Sequence, residues 1–327
     1  TKGANTDDDA ATWTKRAMAT FTTRNREFLI GVAAGSGWTI ERVGLLDQLM
    51  EYGVFQSKLH AYAGCTSIVS TGDHTVDGQT YIGRNMDWTP TFNEFAQVLT
   101  VRKPTDGSYK TATVGWPGMS GSFTVLNEHG VYLDIHDGTS MGGSVVYTER
   151  PPIPNVLTDV LSEAASRTAV AHRLNGLALS ASMILTIADE HGGASMECSS
   201  LGGNRLRSPD GTSLVVVNTF LEPAWGLGRR ETVSNSMRRL SNMTDRQAEC
   251  AGTVDAQVTM DLMDLRLFDA DGSFAEPGGA TKPTLQDADS TNHQVVVDVQ
   301  RRRMWLKVPA PTAFADWTEF DLPALWD

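Results

Sequence analysis

The chain has 327 residues, of which 40% are hydrophobic and 20% charged, and carries a formal net charge of -12. That length and apolar content allow one large domain or two modest ones with a filled core, and exclude a disordered chain. The acid excess argues against a protein whose main task is gripping nucleic acid or an anionic membrane surface.

The first residue is Thr1 and residues 1–9 are polar. This is consistent with a targeting peptide removed upstream and favours export over a cytoplasmic location. Residues 11–27 and 39–52 read as helices, the second with Ile40, Val43, Leu46, Leu49 and Met50 at spacings of three and four. Between them the apolar run 28–34 is too short to span a membrane and closes on Gly35, Ser36 and Gly37. From Cys65 the pattern turns to alternation: residues 65–70 and 79–85 flank a turn-rich stretch and predict a β-hairpin. Further strands are predicted over 97–101, 109–114, 122–126 and 131–135.

A helix follows near Pro154, with Val156, Leu157, Val160, Leu161 and Ala164 on one stripe, and a second runs to about Ala181. Strands return over 183–189, 194–199 and 213–218, a helix is predicted over 231–243, and a last hairpin joins 294–299 to 304–308. No internal repeat and no linker rich in Pro, Gly or Ser divides the chain. The order of elements suits a layered α+β architecture dominated by antiparallel sheet.

The three cysteines, Cys65, Cys198 and Cys250, are too few and too scattered for a disulfide scaffold, and none lies in a C-x-x-C pair. Glu128, His129, Asp134, His136 and Asp137 look superficially like metal ligands, yet His129 and His136 lack the i, i+4 helical spacing of a zinc protease motif. Gly118-Met-Ser-Gly-Ser122 nearly matches a nucleophile elbow, but Ser122 stands where the last glycine belongs and a strand is predicted next. No metal and no cofactor is expected.

The chemistry concentrates in Ala63-Gly-Cys-Thr-Ser-Ile-Val69 and Gly83-Arg-Asn-Met-Asp-Trp88. With Gly115-Trp-Pro-Gly-Met-Ser-Gly121, Leu126-Asn-Glu-His-Gly-Val131 and Val215-Val-Val-Asn-Thr-Phe-Leu221, these segments resemble the cysteine branch of the N-terminal-nucleophile (Ntn) hydrolases. The resemblance is to the acid ceramidase, choloylglycine hydrolase and isopenicillin N acyltransferase-like group, and it runs from about Leu59 to the C-terminal hairpin. It implies an αββα sandwich of two antiparallel sheets covered by helices. It also implies a division at Gly64 and Cys65 into residues 1–64, a helical front segment, and residues 65–327, the catalytic body. Two fragments of one precursor would then stay associated.

Free cysteine has a pKa near ~8.5, so a nucleophilic thiol needs a base or a nearby cation. Cutting between Gly64 and Cys65 would supply a base, because the new α-amine has a reference pKa of about 7.7 to 8.0 and sits on the same residue as the thiol. The hairpin brings Arg84 and Asp87 back beside Cys65, the guanidinium to favour thiolate and the carboxylate to orient the amine. Their separation of three places them on opposite faces of an ideal strand, so a bend or bulge near Met86 is expected.

The resemblance implies further roles. Asn218 matches the oxyanion asparagine, a backbone N–H near Asp137 or Gly138 the second donor, and Arg238 a second arginine of the site, with Arg230 and Arg239 open as its alternatives. Trp88, Phe92, Phe95, Trp116 and Met119 are candidate pocket residues. The expected reaction is hydrolysis of a linear amide C–N bond of a small N-acyl compound through a Cys65 thioester. Two rivals stand beside it: acyl transfer to an amine, and an uncleaved protein that binds acyl ligands without chemistry. Acyl chain, head group and oligomeric state are not legible.

Overall fold

The computed structural model describes residues 6–48, 51–52, 64–88, 95, 97–232, 235–265, 291–308 and 316–327. Its body is built from strands with both faces covered. A first hairpin comprises β1 (Thr66–Gly72) and β2 (Gly78–Asp87), with Gly72 and Gly78 at positive φ where the chain turns. Then come β3 (Val98–Arg102), β4 (Thr111–Gly115), β5 (Thr124–Asn127) and β6 (Tyr132–Asp137). Later strands are β7 (Met183–Asp189), β8 (Gly192–Ser199), β9 (Gly203–Arg207), β10 (Ser213–Val216), β11 (Thr291–Asp298), β12 (Arg303–Lys307) and β13 (Thr318–Asp321).

These strands form two antiparallel sheets. One has six strands in the order β10-β1-β2-β11-β12-β13; the other has seven in sequential order from β3 to β9. The sheets pack face to face over an apolar layer that includes Val69, Ile82, Val114, Tyr132, Ile184, Val216 and Val297. At Gly193 the sheets approach closely: a Cβ there would lie 2.9 Å from the Val69 side chain of the opposite sheet.

Helices close both outer faces. The helices α5 (Ile153–Leu161) and α6 (Arg167–Asn175) cover the seven-stranded sheet over a core with Leu133, Leu157, Val170 and Leu185. Across the molecule, α7 (Ser236–Glu249) and α8 (Ala256–Asp264) cover the six-stranded sheet with Ile68, Met243, Met263 and Val296. Adjacent residues of one strand thus serve different layers, Ile68 outward and Val69 inward, as the period of two requires. The result is the expected αββα sandwich.

The front segment contributes α1 (Thr6–Thr20), α2 (Thr23–Ser36) and α3 (Ile40–Asp47), with its own small core of Ala17, Phe21, Leu29 and Val43. A short α4 (Thr139–Gly142) follows β6, and α9 (Leu322–Trp326) ends the chain. No helix among the described residues is long and apolar enough to cross a membrane.

Several elements differ from the sequence reading for local reasons. The helix expected over 11–27 breaks at Thr22, whose side chain caps a new helix by accepting from Asn25 N. The helix expected to reach Ala181 stops at Asn175 before Gly176; Tyr147 N then bonds Ser180 O as the chain enters β7. Glu231 does not start a helix: its carboxylate caps α7 by accepting from Met237 N at 2.8 Å, after Asn235 has adopted a left-handed φ of 55°. The strands β9 and β13 and the helix α8 are additions to the predicted set, the two strands being short with mostly exposed or half-buried residues.

Candidate active site

Cys65 precedes β1 and is buried in the same apolar cluster as Met86, Trp88, Trp116, Met119 and Phe123. The hairpin register sets Ser67 opposite Arg84 and Thr66 opposite Asn85, which brings the end of β2 alongside Cys65. Gly64 N donates to Asp87 O at 3.0 Å, and Cys65 Sγ lies 3.8 Å from the same oxygen. Arg84 Nη2 is 4.0 Å from Cys65 Sγ. The expected irregularity near Met86 is present, but the neighbouring strand carries it: β11 pairs Thr291 with Asp87 and His293 with Met86, leaving Asn292 extra. At its turned end Asp87 accepts from Thr291 Oγ1 at 2.5 Å.

A second arginine reaches the thiol's residue from the opposite side, and it is Arg239 rather than Arg238. Arg239 is fully buried on α7 and its Nη1 donates to Cys65 O and to Thr66 Oγ1, both at 2.6 Å. Its Nη2 donates to Asn218 Oδ1 at 3.0 Å, and Asn218 Nδ2 donates to Asp137 O at 3.1 Å. Arg238, one step round the helix, is half-buried instead of fully buried, because a rotation of about 100° separates neighbouring helical side chains. Arg230 is exposed and donates to Ser140 O.

Beneath the thiol lies a polar network that sequence reasoning did not assemble. Two-residue alternation turns Tyr132, Asp134 and His136 of β6 toward the layer between the sheets, while Leu133 and Ile135 join the outer core. Asp134 is the hub. Its Oδ1 lies 3.1 Å from Arg84 Nη1 and 2.9 Å from His136 Nε2, and its Oδ2 accepts from Ser67 Oγ at 2.6 Å and Tyr132 OH at 2.8 Å. Arg84 Nη2 also donates to Ile135 O at 2.8 Å, and Thr186 Oγ1 lies 3.1 Å from His136 Nε2. Asp134 and His136, which resembled metal ligands by type, are thus engaged with the arginine that faces the thiol.

Burial pushes the Cys65 thiol up, with Arg84 opposing it and Asp87 adding to it. Burial also works against ionisation of Asp134, but the Arg84 guanidinium and then His136 outweigh it and hold this carboxyl below its usual range. His136 is pushed down by burial, against the pull of Asp134, and favours the neutral form. Two buried guanidiniums therefore flank a mostly protonated thiol in the uncut chain.

The remaining expectations divide. Asp137 ends β6 with its carbonyl on Asn218 and its Oδ1 accepting from Thr139 N. The Gly138 N–H is engaged by Ser182 O at 3.2 Å, which removes it as an oxyanion donor in this conformation. Trp88, Trp116 and Met119 are buried with Cys65, the two indoles 6.2 Å apart between centroids. Phe95 is 50% exposed, and Phe92 lies outside the described residues. Cys198 is buried in β8 as a packing residue whose thiol burial pushes far up.

No family model matches this chain, and no curated protein does. Solved structures do. A Caenorhabditis elegans ortholog of N-acylethanolamine-hydrolyzing acid amidase superposes with a TM-score of 0.49 and 17% identity over 72% of this chain and 92% of its own. Penicillin V acylase from Agrobacterium tumefaciens gives 0.51 and 14% over 79% and 86%, and a variant of conjugated bile acid hydrolase from Clostridium perfringens gives 0.52 and 12% over 80% and 93%. Identities this low speak to architecture, and the architecture agrees with the two sheets and outer helices described above: the chain has the Ntn-hydrolase fold, in the form shared by penicillin V acylase and conjugated bile acid hydrolase.

Proposed function

We propose that this protein is a self-processing Ntn hydrolase that cleaves a linear amide of a small N-acyl compound with Cys65 as nucleophile. The observation that carries this reading is the convergence of Arg84 and Arg239 on Cys65, just before β1, with Asn218 tied to the same Arg239, in a fold shared with enzymes named for cleaving small-molecule amides.

The first reaction is within the chain. Cys65 Sγ attacks the Gly64 carbonyl carbon, the Gly64–Cys65 C–N bond breaks, and the thiol proton ends on the departing nitrogen, which becomes the Cys65 α-amine. Water then hydrolyses the thioester, leaving a Gly64 carboxylate and a free Cys65 thiol. Residues 1–64 become a separate fragment docked on residues 65–327.

In turnover the new α-amine takes the thiol proton, and Arg84 favours the resulting thiolate. The thiolate adds to the substrate carbonyl. Asn218 Nδ2, which has two N–H groups and gives one to Asp137 O, stabilises the oxyanion with its second. The α-ammonium returns its proton to the leaving amine as the C–N bond breaks, and water releases the acid. Arg239 fixes both partners of this step, holding the Cys65 carbonyl with one nitrogen and the Asn218 amide oxygen with the other.

Intact mass of the purified protein tests the reading. Two masses meeting between Gly64 and Cys65 are expected, with a single full-length mass in Cys65→Ala. A wild-type chain that stays whole and inactive, or a cut that survives Cys65→Ala, overturns it.

A further inference from the structure

The front segment grips the loop that walls the thiol. Between β4 and β5 the chain runs through Trp116 and Met119, both buried in the cluster that holds Cys65. Asp47, the last residue of α3, is buried against this loop. Its Oδ1 accepts from Ser120 N, from Ser120 Oγ at 2.9 Å and from Gly121 N at 3.2 Å. Its Oδ2 accepts from Gln48 Nε2 at 2.7 Å and from Asn155 Nδ2 at 3.2 Å, and the same Asn155 nitrogen reaches Ser120 Oγ at 2.7 Å.

The loop's carbonyls are held from the other side. Arg102 donates to Ser120 O at 2.8 Å and to Met119 O at 2.9 Å, and its guanidinium stacks 4.4 Å from the Phe28 ring of α2. At Gly118, where φ is 85°, a Cβ would lie 3.3 Å from Val32 of α2. The N–H groups of Ser120 and Gly121 and the carbonyls of Met119 and Ser120 are thus fixed by two charged side chains, one belonging to the front segment and one braced by it. A loop between strands ordinarily carries mobile backbone polar groups; here they are buried and bonded.

We infer that Asp47 is a positioning residue for the acyl pocket: by holding Ser120 and Gly121 it sets where Trp116 and Met119 stand beside Cys65, so that residues 1–64 determine which acyl chains the site accepts. This rests on Cys65 being the nucleophile of the proposed hydrolase. The side chains clustered beside Cys65 are aromatic and thioether, with Trp88, Trp116 and Phe123 edge to face or tilted at centroid distances of 5.2–6.4 Å, surroundings that suit an apolar acyl chain rather than a charged one.

The test compares Asp47→Asn and Val32→Ala with wild type on acetyl and decanoyl p-nitroanilide, and in parallel on labelling of Cys65 by N-ethyl- and N-octylmaleimide, located by peptide mass. Both variants are expected to lower the decanoyl-to-acetyl ratio of kcat/KM about tenfold, through KM of the long substrate, while the acetyl substrate changes less than threefold. The octyl-to-ethyl labelling ratio should fall in parallel. Ratios within twofold of wild type in both variants overturn the inference, and Val32→Ala decides alone where Asp47→Asn does not fold. A wild type that labels at Cys65 but turns over neither anilide counts against the hydrolase reading, and the labelling ratio then still decides the role of Asp47.

Discussion

Arg239 Nη1 lies 2.6 Å from the carbonyl oxygen of Cys65, while its other terminal nitrogen holds Asn218 Oδ1 at 3.0 Å. One guanidinium therefore sets the distance between the nucleophile's residue and the amide assigned to the oxyanion. A lysine has the charge but not the fork, and cannot make both bonds. Arg239→Lys is expected to slow self-cleavage and turnover by about 10²-fold, the size of effect seen when an oxyanion donor is lost. Arg238→Lys should stay within twofold. Band intensities of cut and uncut chain over time, with kcat/KM on an acyl anilide, measure both; equal effects in the two variants would contradict the assignment.

Asp134 is the only carboxylate among the described residues that forms an ion pair with Arg84, and both side chains are fully buried. Removing one partner of such a pair leaves a buried charge uncompensated, which typically costs about 3 to 5 kcal/mol. Asp134→Asn is therefore expected to lower the urea midpoint by an amount equivalent to at least about 3 kcal/mol, with the m-value unchanged. A loss below about 1 kcal/mol would show that Arg84 finds other compensation.

How far these relationships were legible from residues alone varies by kind. The hairpin of Cys65 and Arg84 was readable because alternation and turn residues are local signals, and β1 and β2 fall within a few residues of the predicted strands. The layering came from the resemblance, since periodicity says which residues face inward but not which sheet they meet. Asp134 and His136 were visible only as ligand-type residues at the end of the strand predicted over 131–135, and their partners Arg84, Ser67 and Thr186 lie 50 or more positions away. The resemblance left Arg230, Arg238 and Arg239 open for the second arginine, because adjacent helical positions differ only in the face they present, and that face is set by how α7 packs, with Arg239 reaching Cys65 O and Asn218. Asp47 gave no signal: an acid at a helix end reads as surface until Ser120 and Gly121 close over it.

Arg84 opposes the upward push of burial on the Cys65 thiol, so its loss has a definite sign. In the Arg84→Met variant the thiol is expected to titrate at higher pH than in the wild-type precursor, and Asp134, no longer neutralised, pushes it further the same way. At pH 8 alkylation of Cys65 by iodoacetamide should fall about tenfold, because only thiolate reacts. Peptide mass following Cys65 separately from Cys198 and Cys250 gives the rate. An unchanged pH profile would remove Arg84 from the activation of the thiol.

Glu51 and Asp159 give the seam between front segment and body an unusual pH dependence. Glu51 is buried, accepts from Ile153 N and Ser180 Oγ, and is pushed up to about 7, first by burial. Asp159 accepts from Thr22, Arg24 and Asn25 of the front segment and is pushed up to about 6, again first by burial. A carboxyl raised on folding contributes stability that is complete below its unfolded value, near 4 to 4.5, and is lost as pH rises through its folded value. The seam should therefore be firmest below about pH 4 and loosen progressively between about pH 4 and 7, with Glu51 contributing up to about 3 kcal/mol across that window. The sign is opposite to that of Asp134, whose depressed value favours the folded state as pH rises. Limited proteolysis of residues 6–52 at pH 5 and pH 8 reads the seam directly, with faster loss expected at pH 8. Glu51→Gln, which stays neutral and still accepts the two bonds, should flatten most of that difference. A seam that loosens instead as pH falls would show that Glu51 is ionised in the folded protein.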